Sequence, residues 1–319
     1  MKITLGAGLL VFLLSIAQAQ GPKDTLEQAN AALQSGEADR AISLLNSLPE
    51  SAESHNLRCR VFFTLERWDV AASDCEQAVN LNSRDSDNHL WLGRALGEKA
   101  DHASFIAAYS LAKRVKTEFE EAVSLSPNDA EALTDLGEFY TSAPSVVGGG
   151  DDKAEGLLTQ LDRADPARGH ELRARIADSR KDYETAERQF KLAINASEHP
   201  SFQWMALGSF YRKHEHWDEM EAAVQSGYKA AQRDKHAGVA LYNGASVLTR
   251  GGRNLSFAVK MLEEYLENYS KTEEAPTFEA HTRLARLKAQ LGDVPGAWQE
   301  RAAALKLAHD YQPALALKF

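Results

Sequence analysis

The sequence is short of nearly everything that builds strands, metal centres or catalytic machinery. Nine prolines and 20 glycines in 319 residues leave few breakers, which excludes a turn-rich sandwich and favours long helices. Two cysteines cannot supply a clustered thiolate set for a metal. The ten histidines are scattered, and their single tight pair, His214-Glu215-His216, lacks a third ligand and the H-E-x-x-H spacing. It reads as a solvated turn. No G-x-S-x-G elbow is present, no cysteine stands out as a nucleophile, and the carboxylates have the spacing of ordinary charged helix faces. Hence no enzyme, cofactor or metal is expected. Basic charge is lacking as well. The formal net charge is −10, which argues against nucleic acid or anionic lipid as the main partner.

Long apolar runs are missing except at the start. Lys2 precedes an apolar stretch from Leu5 to Ile16, and Ala17-Gln18-Ala19 follows as a small-x-small pattern. Residues 1–19 are therefore expected to be a signal peptide cleaved after Ala19, giving an exported, periplasmic or secreted protein with no remaining membrane span. An uncleaved anchor is the alternative, but the run is shorter than the roughly 20 residues that a span requires.

What is present is a repeat. Trp204, Leu207, Gly208 and Tyr211 share one helical face, and Leu133, Leu136, Gly137 and Tyr140 repeat it. A second type of face carries Phe119, Ala122 and a terminating Pro127; Ala186, Phe190 and Ala193 restate it, as do Ala71, Cys75 and Ala78. Small residues on both faces let two antiparallel helices approach closely, while the bulky ones fill the grooves. One hairpin cannot cover its own apolar face, so the next must stack on it.

This order of residues resembles the tetratricopeptide repeat of about 34 residues. The resemblance covers nearly all of residues 20–319. It implies an all-α, right-handed solenoid of about eight helix-turn-helix units, with small-slot residues Ala29, Cys59, Gly93, Gly137, Ala174, Gly208, Gly244 and Ala285. Extra residues interrupt unit three near Glu98 to Ala107 and unit four near Pro144 to Asp151. Residues 305–319 would cap the open end.

Cys59 occupies the small slot of the first helix of unit two and Cys75 the aromatic slot of the second. These slots face each other, so the pair is either a disulfide or two reduced core cysteines. In such arrays the first helix of each unit lines a concave groove. The positions after the small slot include Arg60, Arg94, Arg175 and Arg286, with Arg212 one turn beyond its slot in unit six. They suit either an acidic, carboxylate-bearing protein partner or pairing with local Glu and Asp. Gly148, Gly149, Gly150 and Asp151 lack nucleotide-loop spacing. They read as a structural loop with Asp151 as helix N-cap, and second as a partner-binding loop. The expected function is a non-enzymatic protein-interaction scaffold or adaptor of the bacterial periplasm or envelope. The alternative is a soluble solute-binding component of an envelope transport system.

Overall fold

A computed structural model of the chain describes residues 21–319. The expected export segment lies outside the described residues. Among the described residues, sixteen helices pair into eight antiparallel hairpins. Units one to three are α1 (Pro22–Gln34) with α2 (Ala38–Leu45), α3 (Ala52–Thr64) with α4 (Trp68–Leu81), and α5 (Ser86–Asp101) with α6 (Phe105–Leu125). Units four to six are α7 (Ala130–Ser142) with α8 (Asp151–Ala164), α9 (Pro166–Ser179) with α10 (Tyr183–Ala196), and α11 (Pro200–Lys213) with α12 (Trp217–Ala231). Units seven and eight are α13 (Gly238–Gly251) with α14 (Leu255–Asn268) and α15 (Thr277–Gln290) with α16 (Val294–Leu307), followed by the short α17 (Gln312–Leu315).

The small slots explain why the hairpins close so tightly. Ala29, Cys59, Ala174 and Ala285 have no exposed surface. A Cβ on Gly93 would lie 2.5 Å from the Phe119 ring of its own hairpin, and one on Gly137 would lie 2.9 Å from Leu172 of the next. Tyr140, Leu133, Leu136, Leu207 and Tyr211 are buried. Six of the eight turns between paired helices pass through a left-handed residue just after the first helix. Gly36, Gly252 and Gly292 supply it at φ of 72°, 64° and 90°, while Glu66, Lys181 and Glu215 adopt 58°, 63° and 60° despite their side chains.

The two interruptions differ. The extra residues of unit three are mostly helical, not a loop. They lengthen α5 and α6 into an arm whose tip exposes Phe105 and Ile106. Unit four instead makes a 3-10 turn over Ser145–Val147 and then the glycine run.

The ends of the array meet. Residues 34–67 of units one and two contact residues 273–311 of unit eight and its approach. Thr277 Oγ1 donates to the Ser35 carbonyl at 2.8 Å, Gln34 Nε2 donates to Glu273 at 2.9 Å, and Arg67 pairs with Asp310 at 3.2 Å. Tyr311, 1% exposed, packs edge-on against Phe278 and donates its hydroxyl to Glu66 at 2.8 Å. The residues expected to cap an open end therefore join it to the beginning, and the solenoid is a closed ring with a seam.

Candidate functional site: the inner wall

The first helices of units two to eight line the bore. Of the cavities along it, two take most of their lining from α3, α5, α7, α11, α13 and α15. The larger, of about 1120 Å³, lies between units two to four and the 273–279 segment. The smaller, of about 620 Å³, is walled mainly by α9, α11 and α13.

The larger cavity has an aromatic floor and an acidic wall. Trp91 meets Phe63 edge-on at 5.5 Å, and the Arg94 guanidinium lies 4.7 Å from the Trp91 centroid. Nine carboxylates, among them Glu98, Asp101, Glu131 and Asp135, line it against four arginines. Burial pushes the Glu98 carboxyl above its usual range, helped by Asp101. Burial also raises Asp135, with Arg94 opposing, and raises Glu274, with Glu131 adding repulsion. The extended end of α5 supplies part of the rim through Gly97, Glu98 and His102.

The row of arginines is not a free ladder for carboxylates. Arg60 is held by Glu273 across the seam. Arg94 bonds Asp135 and Glu131, both at 2.6 Å, and Arg175 bonds Glu138 at 2.5 Å. Among the described residues Arg286 reaches only the Pro313 carbonyl, at 3.4 Å. Carboxylates of an adjacent unit, or on the far side of the seam, neutralise three of the five. Arg212 is different. It lines the smaller cavity, and among the described residues no carboxylate lies within 4.0 Å of it. Arg250, which the spacing rule missed because it lies six residues beyond its small slot, shares both features. The position just after the small slot in unit seven is Ala245, a small side chain with no charge to offer.

The glycine loop is explained by backbone geometry. A Cβ on Gly149 would fall 1.8 Å from the Ala143 carbonyl oxygen, and Gly148 has φ of 104°. The Gly150 N–H donates to Tyr140 O at 2.8 Å, and Lys153 Nζ donates to Gly148 O at 2.7 Å. Asp151 is not the N-cap. Gly150 holds that place, and the Asp151 carboxylate instead accepts from Ser179 Oγ at 2.8 Å and faces Arg180. Gly150 holds the N-cap at a positive φ of 154°, which side chains rarely adopt, so the helix starts one residue later, at Asp151.

Cys59 and Cys75 are joined by a disulfide between α3 and α4, with Cα atoms 5.3 Å apart. His214 bonds Asp178 at 2.7 Å while His216 precedes α12, so the two histidines share no ligand position. Among the described residues, Asp39, His309 and Asp310 bring three ligand-type groups together at the seam. These already have partners: His309 bonds Asp39 at 2.8 Å and Asp310 pairs with Arg67.

No family model matches the chain. It is 23% identical to superkiller complex protein 3 of Mus musculus over 90% of its own length, but spans only 18% of that protein. Among solved structures it is similar to yeast Tom70, with a TM-score of 0.54 at 15% identity, covering 95% of this chain and 64% of that one. It is also similar to a thermophilic tetratricopeptide-repeat protein of Thermus thermophilus, with a TM-score of 0.50 at 17% identity, covering 60% of this chain and 98% of that one. With eight stacked hairpins, small-residue slots and these structural likenesses, the chain is a solenoid of the tetratricopeptide-repeat fold.

Proposed function

We propose that the protein is a non-enzymatic interaction scaffold that seats an extended segment of a protein partner in the larger cavity of its inner wall. The observation that carries this reading is the composition of that cavity: a floor of Phe63, Trp68, Trp91 and Phe139 beneath a wall on which Glu98, Asp101 and Glu274 have no cationic partner within 4.0 Å among the described residues, while Glu131, Asp135, Glu138, Glu273 and Glu279 are paired with arginines. Such a surface suits a segment with basic and apolar side chains, since cations would relieve the crowding of Glu98, Asp101 and Glu274 while apolar groups cover the rings. This replaces the acidic partner that the arginine row suggested, because three of those arginines are engaged within the chain. The fold favours surface complementarity over turnover. We place the protein in the bacterial periplasm or cell envelope on the strength of residues 1–19; N-terminal sequencing of the mature chain should start at Gln20.

The test is fluorescence anisotropy with two labelled decapeptide pools, one rich in Lys, Arg, Leu and Phe, the other with Asp and Glu in place of the bases. The basic pool should bind, and E98K/E274K should abolish its binding while far-UV circular dichroism stays unchanged. Equal binding of the acidic pool, or undiminished binding by the variant, would reject the reading.

A further inference from the structure

The smaller cavity differs in charge and in what it leaves unsatisfied. Arg212 and Arg250 reach it from the ends of α11 and α13 without a carboxylate within 4.0 Å among the described residues. Arg168 stands at the opposite wall, loosely held by Asp165 at 3.4 Å and Thr134 at 3.3 Å. Arg283 lies 4.2 Å from the Tyr242 ring centroid and is paired with Glu279. The described chain has four buried side-chain polar atoms with no hydrogen-bond partner, and two of them, Tyr242 Oη and Gln203 Oε1, belong to residues lining this cavity. Tyr242 is 4% exposed and Gln203 9%. The Glu279 charge acts on Tyr242, yet no hydrogen bond of ordinary geometry joins them. Buried polar atoms are nearly always paired, so two orphans on one cavity wall call for a partner that enters the cavity.

We propose that this cavity binds a small anionic molecule, its carboxylate or phosphate oxygens held by the Arg212 and Arg250 guanidiniums and a donor group of the same molecule held by Gln203 Oε1. Paired guanidinium forks suit planar or tetrahedral oxyanions. The Tyr242 hydroxyl then donates to a further oxygen of the ligand. The volume, about 620 Å³, is that of a small-molecule site. The closed seam favours a solute over a folded partner, because the cavity opens toward the bore. Burial pushes the Glu171 carboxyl above its usual range, with Arg175 and a side-chain hydrogen bond from Gln203 opposing. The proposal goes beyond the peptide-binding reading and does not depend on it.

Isothermal titration calorimetry at fixed ionic strength, with inorganic phosphate, succinate, citrate and glutamate as probes, tests it. At least one probe should bind saturably at one site per chain. R212Q/R250Q should weaken that binding about tenfold or more and Y242F about threefold. R212K/R250K, which keeps the charge but loses the fork, should fall in between; it stands in for the glutamine variant if that one unfolds. Phosphate binding without succinate or citrate binding would identify a phosphate source, and the reverse a carboxylate source. No saturable heat from any probe up to about 10 mM, or equal binding by the arginine variants, would overturn the proposal. Basic-peptide binding that persists alongside silent titrations would sink this inference alone.

Discussion

The seam makes a quantitative demand on Tyr311. Its side chain is 1% exposed, its ring meets Phe278 with centroids 4.8 Å apart, and its hydroxyl donates to Glu66 at 2.8 Å. Truncation to alanine removes a fully buried aromatic, a change that costs about 3–5 kcal/mol in protein cores. Replacement by phenylalanine keeps the ring and removes one hydrogen bond to a carboxylate, which is worth about 1.5–3 kcal/mol and less here because Glu66 is exposed. Tyr311→Ala should therefore cost about 4 kcal/mol in urea denaturation and Tyr311→Phe about 1 kcal/mol. Small-angle X-ray scattering should show a larger radius of gyration for Tyr311→Ala alone, because losing the ring of Tyr311 releases unit eight from unit two. A loss below about 1 kcal/mol for Tyr311→Ala, with an unchanged scattering curve, would refute the idea that this residue locks the ring.

Two further outcomes follow from the chemistry of the chain. The Cys59–Cys75 disulfide closes a loop of 16 residues, so reduction or Cys75→Ala should cost about 3 kcal/mol, and alkylation of the denatured, unreduced protein should find no free thiol. Glu274 carries a carboxyl raised above its usual range by burial and then by Glu131. In the window between its unfolded and folded pKa values the folded state holds more protons, so this group's contribution to stability falls as pH rises through that window. Glu274→Gln should thus raise the melting temperature at pH 8, with the gain shrinking toward pH 4.5; a gain that grows on acidification would reverse the assignment.

Helix positions and hairpin pairing were legible in the sequence because they follow from contacts within one repeat. Leu133, Leu207, Ala71 and Ala186 recur at the spacing of a helix face, and all four are buried. The seam was not legible. Ser35 with Thr277 and Glu66 with Tyr311 are pairs more than 240 residues apart, joined by side chains that no period marks. The candidate site was half legible for a related reason. Periodicity shows that Arg60, Arg94 and Arg175 leave the first helix on the inner side, but whether each meets a carboxylate depends on an adjacent hairpin or on the far end of the chain. Glu273 captures Arg60 across the seam, Asp135 captures Arg94 from the following unit, and among the described residues Arg212 is left without such a partner. The glycine run also misled by one position, since only the backbone path through Gly150 decides where α8 begins.

The closed seam has a consequence for synthesis. During translation the first hairpins emerge from the ribosome with the surface destined for unit eight still bare. Leu33, Ala38 and Phe62 belong to the same packed cluster as Phe278, Tyr311 and Ala314, so part of their cover is the last to be made. An open array would be complete at its leading end as soon as its second unit had folded. This chain instead carries an unfinished apolar edge for the whole time needed to make some 240 further residues, on the order of ten seconds or more at ordinary elongation rates. Throughout that interval the early hairpins are a substrate for holding chaperones, and export before folding would spare the cell the exposed edge altogether.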